Sequence, residues 1–159
     1  MSFPIGRALL SIQQTPVLLQ ALLRDVDQAR ASQARDGEGW NVVEVLCHLN
    51  DYEQIFSERI QSASGENPPS MAAYNPDEMA VEKRYAEQSL TATLEQLLAR
   101  RRALIAFLKG LAPEEWEARA GIHPALGRLT ITEQVLIIPL HDVNHMEQMI
   151  RALGLGEKF

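Results

Sequence analysis

Apolar residues recur along this chain with a helical period in every long segment, and no stretch alternates apolar and polar residues cleanly enough to be a strand. The earliest such segment sets Val17, Leu18, Ala21, Leu22 and Val26 on one face. Thr15-Pro16 before it supplies a capping hydroxyl and then a proline for the first helical position, so the first helix is expected to start there. A polar, small-residue stretch from Gln28 to Gly39 reads as a loop with a short helical turn. A second helix should begin at Asn41, capped by its own side chain with Glu44 three residues on, and run to about Ser62. Its core face is Val42, Leu46, Leu49, Ile55 and Phe56.

Ser64 to Asp77 is rich in Pro, Gly and Asn and must be a connection, long enough for a crossover rather than a tight turn. A third helix carries Leu90, Leu94, Leu97, Leu104 and Leu108 and stops at Lys109-Gly110, a cationic end followed by glycine. Residues 111–129 form a second long connection. Thr130 and Glu133 make another capping box, opening a fourth helix through Val135, Ile138, Val143, Met146 and Met149 to Gly154. Pro139 inside it should cost about 3 kcal/mol or kink it, but the period resumes in register, so one helix is expected. Four long helices with two long connections describe an all-α four-helix bundle that is not simply up-down-up-down, a single domain over residues 1–159.

Composition narrows the function. Fifteen Lys and Arg against 21 Asp and Glu leave a net charge of −6, which argues against nucleic-acid binding, an affinity built on basic side chains neutralising phosphates. The one cysteine, Cys47, excludes an intramolecular disulfide framework. No apolar run approaches the roughly 20 residues that span a bilayer. The first residues place Pro4 where a signal sequence would carry its charges, so the expected location is the cytoplasm.

The histidines carry the chemistry. His141 and His145 are four apart and project from one helix face, the spacing that lets two imidazoles hold one transition-metal ion. Ile137, Ile138 and Leu140 surround the first, and Met146 and Met149 flank the second, so the pair faces or borders the core. Buried imidazoles need hydrogen-bond partners or a metal. His48 on the second helix is the third ligand if the second and fourth helices are neighbours, leaving positions open for water or substrate. The HDVNH run is not a zinc-protease motif, because Asp142 is a methylene shorter than the glutamate such an enzyme uses.

Other residues are weighed beside them. Asp51 and Asp142 each lie near a ligand and are candidate catalytic groups, able to orient an imidazole or take a proton from water. Asp142 sits off the His141/His145 face and could instead serve a helix contact, whereas Gln148 is closer to that face and could hydrogen-bond a ligand. Cys47 reads as buried and inert, Trp40 as a packing residue before the second helix, His123 as a turn residue, and Arg100-Arg101-Arg102 as a solvated charge run.

Two runs, GWNVVEVLCHLNDYE from Gly39 to Glu53 and GIHPALGRLTITEQVLIIPLHDVNHMEQM from Gly121 to Met149, resemble the second- and fourth-helix signatures of the DinB-like family of damage-inducible bundle proteins. TPVLLQALL near the start fits as well, so the resemblance covers nearly the whole chain. It implies an up-down-down-up bundle with long crossovers, often dimeric, holding a divalent metal on His48, His141 and His145. Relatives in the wider superfamily include mycothiol- and bacillithiol-dependent enzymes such as S-transferases and maleylpyruvate isomerase, others named as metal-dependent hydrolases, and many with no known activity. The expected protein is therefore a homodimeric enzyme whose ion, zinc or nickel before iron, activates water or a low-molecular-weight thiol against a small-molecule substrate. The alternatives are a stress-response bundle that binds a metal or small ligand without turnover, and an interaction bundle whose histidines hold no metal.

Overall fold

The computed structural model describes residues 5–156. Four long helices, α1 (Ile5–Leu23), α3 (Val42–Ser62), α5 (Leu90–Lys109) and α7 (Ile131–Ala152), form the bundle. Between them lie α2 (Gln28–Gln33), α4 (Pro76–Glu82), a 3-10 turn (Tyr85–Glu87), α6 (Glu115–Ala118) and a hairpin of β1 (Ala120–His123) and β2 (Gly127–Thr130). Both expected capping boxes are present. Asn41 Oδ1 accepts from Glu44 N while Asn41 N donates to Glu44 Oε2, and Thr130 and Glu133 repeat the exchange at the start of α7.

Side-chain pairings give the directions. Cys47 meets Thr93, Asn50 meets Gln96 and Glu53 meets Arg101, so α3 and α5 are parallel. His48 meets His145 while Phe56 meets His141, so α3 and α7 are antiparallel. Ile12 meets Arg101 and Leu19 lies beside Leu97, so α1 runs against α5. The order is up-down-down-up, and the parallel α3/α5 pair is what requires the long crossover over residues 63–89.

Three local expectations are corrected. The first helix starts by Ile5, and Thr15-Pro16 lies inside it. Proline there has no N–H to give the carbonyl one turn back, and that carbonyl, Ile12 O, instead accepts from Arg101 Nη1 at 2.9 Å. The Thr15 hydroxyl, freed from capping, donates to the Asp142 carboxylate. The second correction is the hairpin, hidden because its strands of four residues sit half-exposed at the bundle end and do not alternate. Its turn closes at Gly127, whose φ of +75° glycine adopts without strain. The third concerns Arg101, which is 2% exposed at the centre of the bundle rather than on a solvated face.

Arg101 organises a polar layer that draws on all four long helices. Its Nε and Nη2 grip Glu53 at 2.7 and 2.6 Å, Nη2 also donates to Asp142 at 3.0 Å, and Nη1 reaches Ile12 O and, at 3.1 Å, Thr15 Oγ1. All five guanidinium N–H groups are thereby used. Burial pushes the Glu53 carboxyl above its usual range, and the Arg101 hydrogen bond and charge oppose that shift. The layer divides the apolar core in two. Leu19, Val42, Leu46, Leu97 and Met149 pack on one side, and Ile12, Ile60, Leu104, Trp116 and Ile138 on the other.

Arg101→Met should lower stability by about 3–5 kcal/mol, because two buried carboxylates lose the cation that pairs with both. Urea unfolding checks this, and a loss below about 1 kcal/mol would show that the layer does not hold the bundle. Arg101→Lys should recover little, since an ammonium cannot reproduce the forked grip on Glu53.

Candidate metal centre

α3 and α7 lie side by side, and their facing stripes carry the histidines. The ligand atoms of His48, His141 and His145 all fall within 4.8 Å of one another. His48 Nε2 and His141 Nε2 are 3.0 Å apart, a few tenths of an ångström closer than the roughly 3.3 Å between two nitrogens on one tetrahedral zinc ion. The ring of His145 stands 4.5 Å from that of His48 and 4.6 Å from that of His141, steeply inclined to both.

Aromatic side chains hold this arrangement. Tyr52 stacks on His141 at 5.0 Å and 24°, and Phe56 meets the same imidazole edge-on at 5.4 Å. Trp40 packs against His48 at 5.1 Å and edge-on to Tyr85. His145 Nδ1 donates to Gln148 Oε1 at 2.9 Å, which leaves its Nε2 bare of hydrogen, the form a metal takes. Gln148 was one of the residues singled out from sequence for such a contact.

Burial keeps the cluster neutral. His48 is driven down to about 3 by desolvation and by the neighbouring His145, against a small opposing effect of Asp51. His141 is driven down to about 3 by desolvation and then by His145, His48 and Arg101. Desolvation also lowers His145. Neutral imidazoles present lone pairs without proton competition at neutral pH, and the buried Nδ1 of His48 has no hydrogen-bond partner among the described residues. Three convergent nitrogen donors with this protonation fit a divalent metal of imidazole preference.

The two carboxylate candidates lie to either side and touch none of the three imidazoles. Asp142 is bound into the Arg101 layer, the helix contact that its position suggested. Asp51 accepts from Lys83 Nζ at 2.8 Å and Tyr85 Oη at 2.6 Å. It lines a separate polar cavity of about 160 Å³ with Cys47, Asn50 and Thr93. Cys47 is buried, and desolvation pushes its thiol up to about 11, which suits an inert residue. His123 is a turn residue, its Nδ1 accepting from the backbone N–H groups of Ala125 and Leu126. Sequence reasoning missed Tyr52 and Phe56 as imidazole-packing residues, although both follow His48 at helical spacing.

The sequence profile of the DinB superfamily matches residues 11–149. Among solved structures, one described as YfiT from Bacillus subtilis, a probable metal-dependent hydrolase with an unusual four-helix bundle topology, superposes with a TM-score of 0.81 at 18% identity, covering 98% of this chain and 92% of that one. A mycothiol-dependent maleylpyruvate isomerase superposes with a TM-score of 0.75 at 14% identity over 92% of this chain, which spans 61% of the isomerase. No match was found among curated proteins. Among the described residues no helix is long and apolar enough to cross a membrane.

The histidine shifts fix a pH dependence for the metal-free chain. Each folded pKa lies below the ordinary 6.5, so the unfolded chain binds more protons between pH 6.5 and about 3. Stability should be full above pH 6.5 and fall as the pH is lowered. Urea midpoints in chelator should drop from pH 7.5 to pH 5, less steeply in His141→Gln. A flat profile would show that the imidazoles are not held neutral.

Proposed function

The chain belongs to the DinB superfamily, and from that premise we propose that it is a metal-dependent enzyme in which His48, His141 and His145 hold one divalent ion and serve hydrolysis or thiol transfer on a small molecule. The observation that carries this reading is the convergence of three neutral imidazoles from two helices. When bound, a divalent ion supplies Lewis acidity that brings the pKa of water or a thiol toward neutrality. Zinc and nickel suit the donor set best, with iron after them. The hydrolase and the mycothiol-dependent enzyme among the similar structures support the two reaction types.

The chain's own residues do the rest. Gln148 fixes the tautomer of His145. Tyr52 and Phe56 pin the His141 ring and keep water from its faces. Asp142 acts at one remove: tied to Arg101 and Thr15, it sets the rotation of α7 that turns His141 and His145 toward α3. Asp51 places a negative charge near His48 that favours a bound cation.

Elemental analysis of protein purified without a histidine tag tests the reading. Close to one zinc or nickel per chain is expected, largely lost in His48→Ala. At a free metal concentration of 100 times its Kd, the ion should also stabilise the fold by about 2.7 kcal/mol. No metal in either protein, even after incubation with zinc and nickel, overturns the proposal.

A further inference from the structure

Along α3 and α7 from the histidines, the two helices border a second, chemically different compartment. A cavity of about 60 Å³ lies between Phe56 and Arg59 of α3 and Gln134 and Ile137 of α7. The hairpin closes it with Leu126 and Leu129, and Met71 of the long crossover forms another wall. The crossover is pinned there by Ile122 N donating to Pro69 O and Met71 N donating to Ile122 O, both at 2.8 Å. Gly121 permits that approach, since a Cβ would stand 2.5 Å from the Met71 methyl. The space is enough for a few waters or one end of a ligand.

Within these apolar walls the polar groups are unspent. Arg59 Nε is buried with no partner, and the guanidinium makes one hydrogen bond among the described residues, from Nη2 to Ala72 O. No carboxylate pairs with it among those residues. The Tyr74 ring lies 5.8 Å from the guanidinium and steadies it. Gln134 is 4% exposed, and while its Nε2 donates to Leu129 O, its Oε1 accepts from nothing among the described residues. His123 accepts two backbone bonds at Nδ1, so its hydrogen is on Nε2, a further donor on the cavity wall. Buried polar atoms are nearly always paired, and an orphan costs about 1–3 kcal/mol.

We infer that this cavity is the recognition pocket for the carboxylate end of an organic acid, the carboxylate received by Arg59 and His123 and an adjacent hydroxyl or amine by Gln134 Oε1. Arg59 and His123 offer donors, Gln134 offers one acceptor, and only a group with both an anion and a neighbouring O–H or N–H answers all three. Phe56 stands between this pocket and the metal centre, its ring forming one wall and also meeting His141, so the two sites are neighbours. Gln134 and His141 are seven residues apart on α7, about 10 Å along the helix. The substrate class is therefore a small 2-hydroxy or 2-amino acid with an apolar midsection, its far end at the histidines. The inference deepens the metal-dependent reading and rests on it for that far end alone.

Phenyllactate and its carboxamide are the probes, titrated into the protein as purified and after chelation, with the Arg59 Nε–H signal and protein amide shifts followed by NMR. Phenyllactate should shift the Arg59 signal in both preparations and bind at least tenfold more tightly than the amide. Arg59→Gln should weaken it at least tenfold, with helical circular dichroism and metal content unchanged. Gln134→Leu should abolish the advantage of phenyllactate over 3-phenylpropanoate. Equal affinity for acid and amide, or no effect of Arg59→Gln, overturns the pocket. Failure of the parent to take up metal while phenyllactate still moves Arg59 removes the metal proposal and leaves the pocket standing.

Discussion

One buried guanidinium determines how the four helices sit against each other. Arg101 of α5 takes acceptors from α1, α3 and α7, and each acceptor is itself placed by a local constraint. Pro16 frees the Ile12 carbonyl, Thr15 is released from capping, and Glu53 and Asp142 each face inward on their helices. Such a layer does not have to add stability over an apolar core of equal volume. What it adds is register: apolar side chains pack in several rotations, but five directed N–H bonds are satisfied in one.

That register is transmitted to the histidines through helix geometry. Successive helical residues point about 100° apart. With Asp142 turned to Arg101, His141 and His145 fall on the neighbouring face, toward α3. With Glu53 turned to Arg101, Tyr52, Phe56 and His48 fall on the face toward α7. The imidazole cluster and the ion-pair layer lie at the same level of the bundle, one inside and one at its flank. A site that needs nitrogen atoms placed to within a few tenths of an ångström benefits from second-row supports of this rigidity.

The parts legible in the sequence are those whose cause is local. The capping boxes at Asn41 and Thr130, the end of α5 at Lys109-Gly110, and the three histidines at helical spacing all declare themselves within a few residues. Thr15-Pro16 shows the limit of that logic. Its local signal is a helix start, and partners 86 and 127 residues away, Arg101 and Asp142, decide otherwise. Arg101 was hidden for the same reason, an ordinary member of an RRR run until Glu53, 48 residues off, is brought beside it. The hairpin escaped because its pairing also draws on the crossover, through Ser64 and Ser70, and on no alternation of its own. For the site, the histidines were readable and the cavity beside Arg59 was not, since its walls come from four separate segments.

The buried polar atoms left without partners follow the α3/α7 flank from the histidines to that cavity. Among the described residues they are His48 Nδ1, Arg59 Nε and Gln134 Oε1. Elsewhere the chain goes to considerable lengths to satisfy such groups, as the full use of Arg101 shows. All three exceptions belong to residues of α3 and α7, on the flank the two helices share. Chance would scatter unpaired atoms among the connections and the other helix pairs, and the fold has no structural need to leave them on one helix pair. The two proposals account for that concentration together: nitrogen lone pairs for a metal on one side of the Phe56 ring, and donors with an acceptor for a carboxylate-bearing ligand on the other.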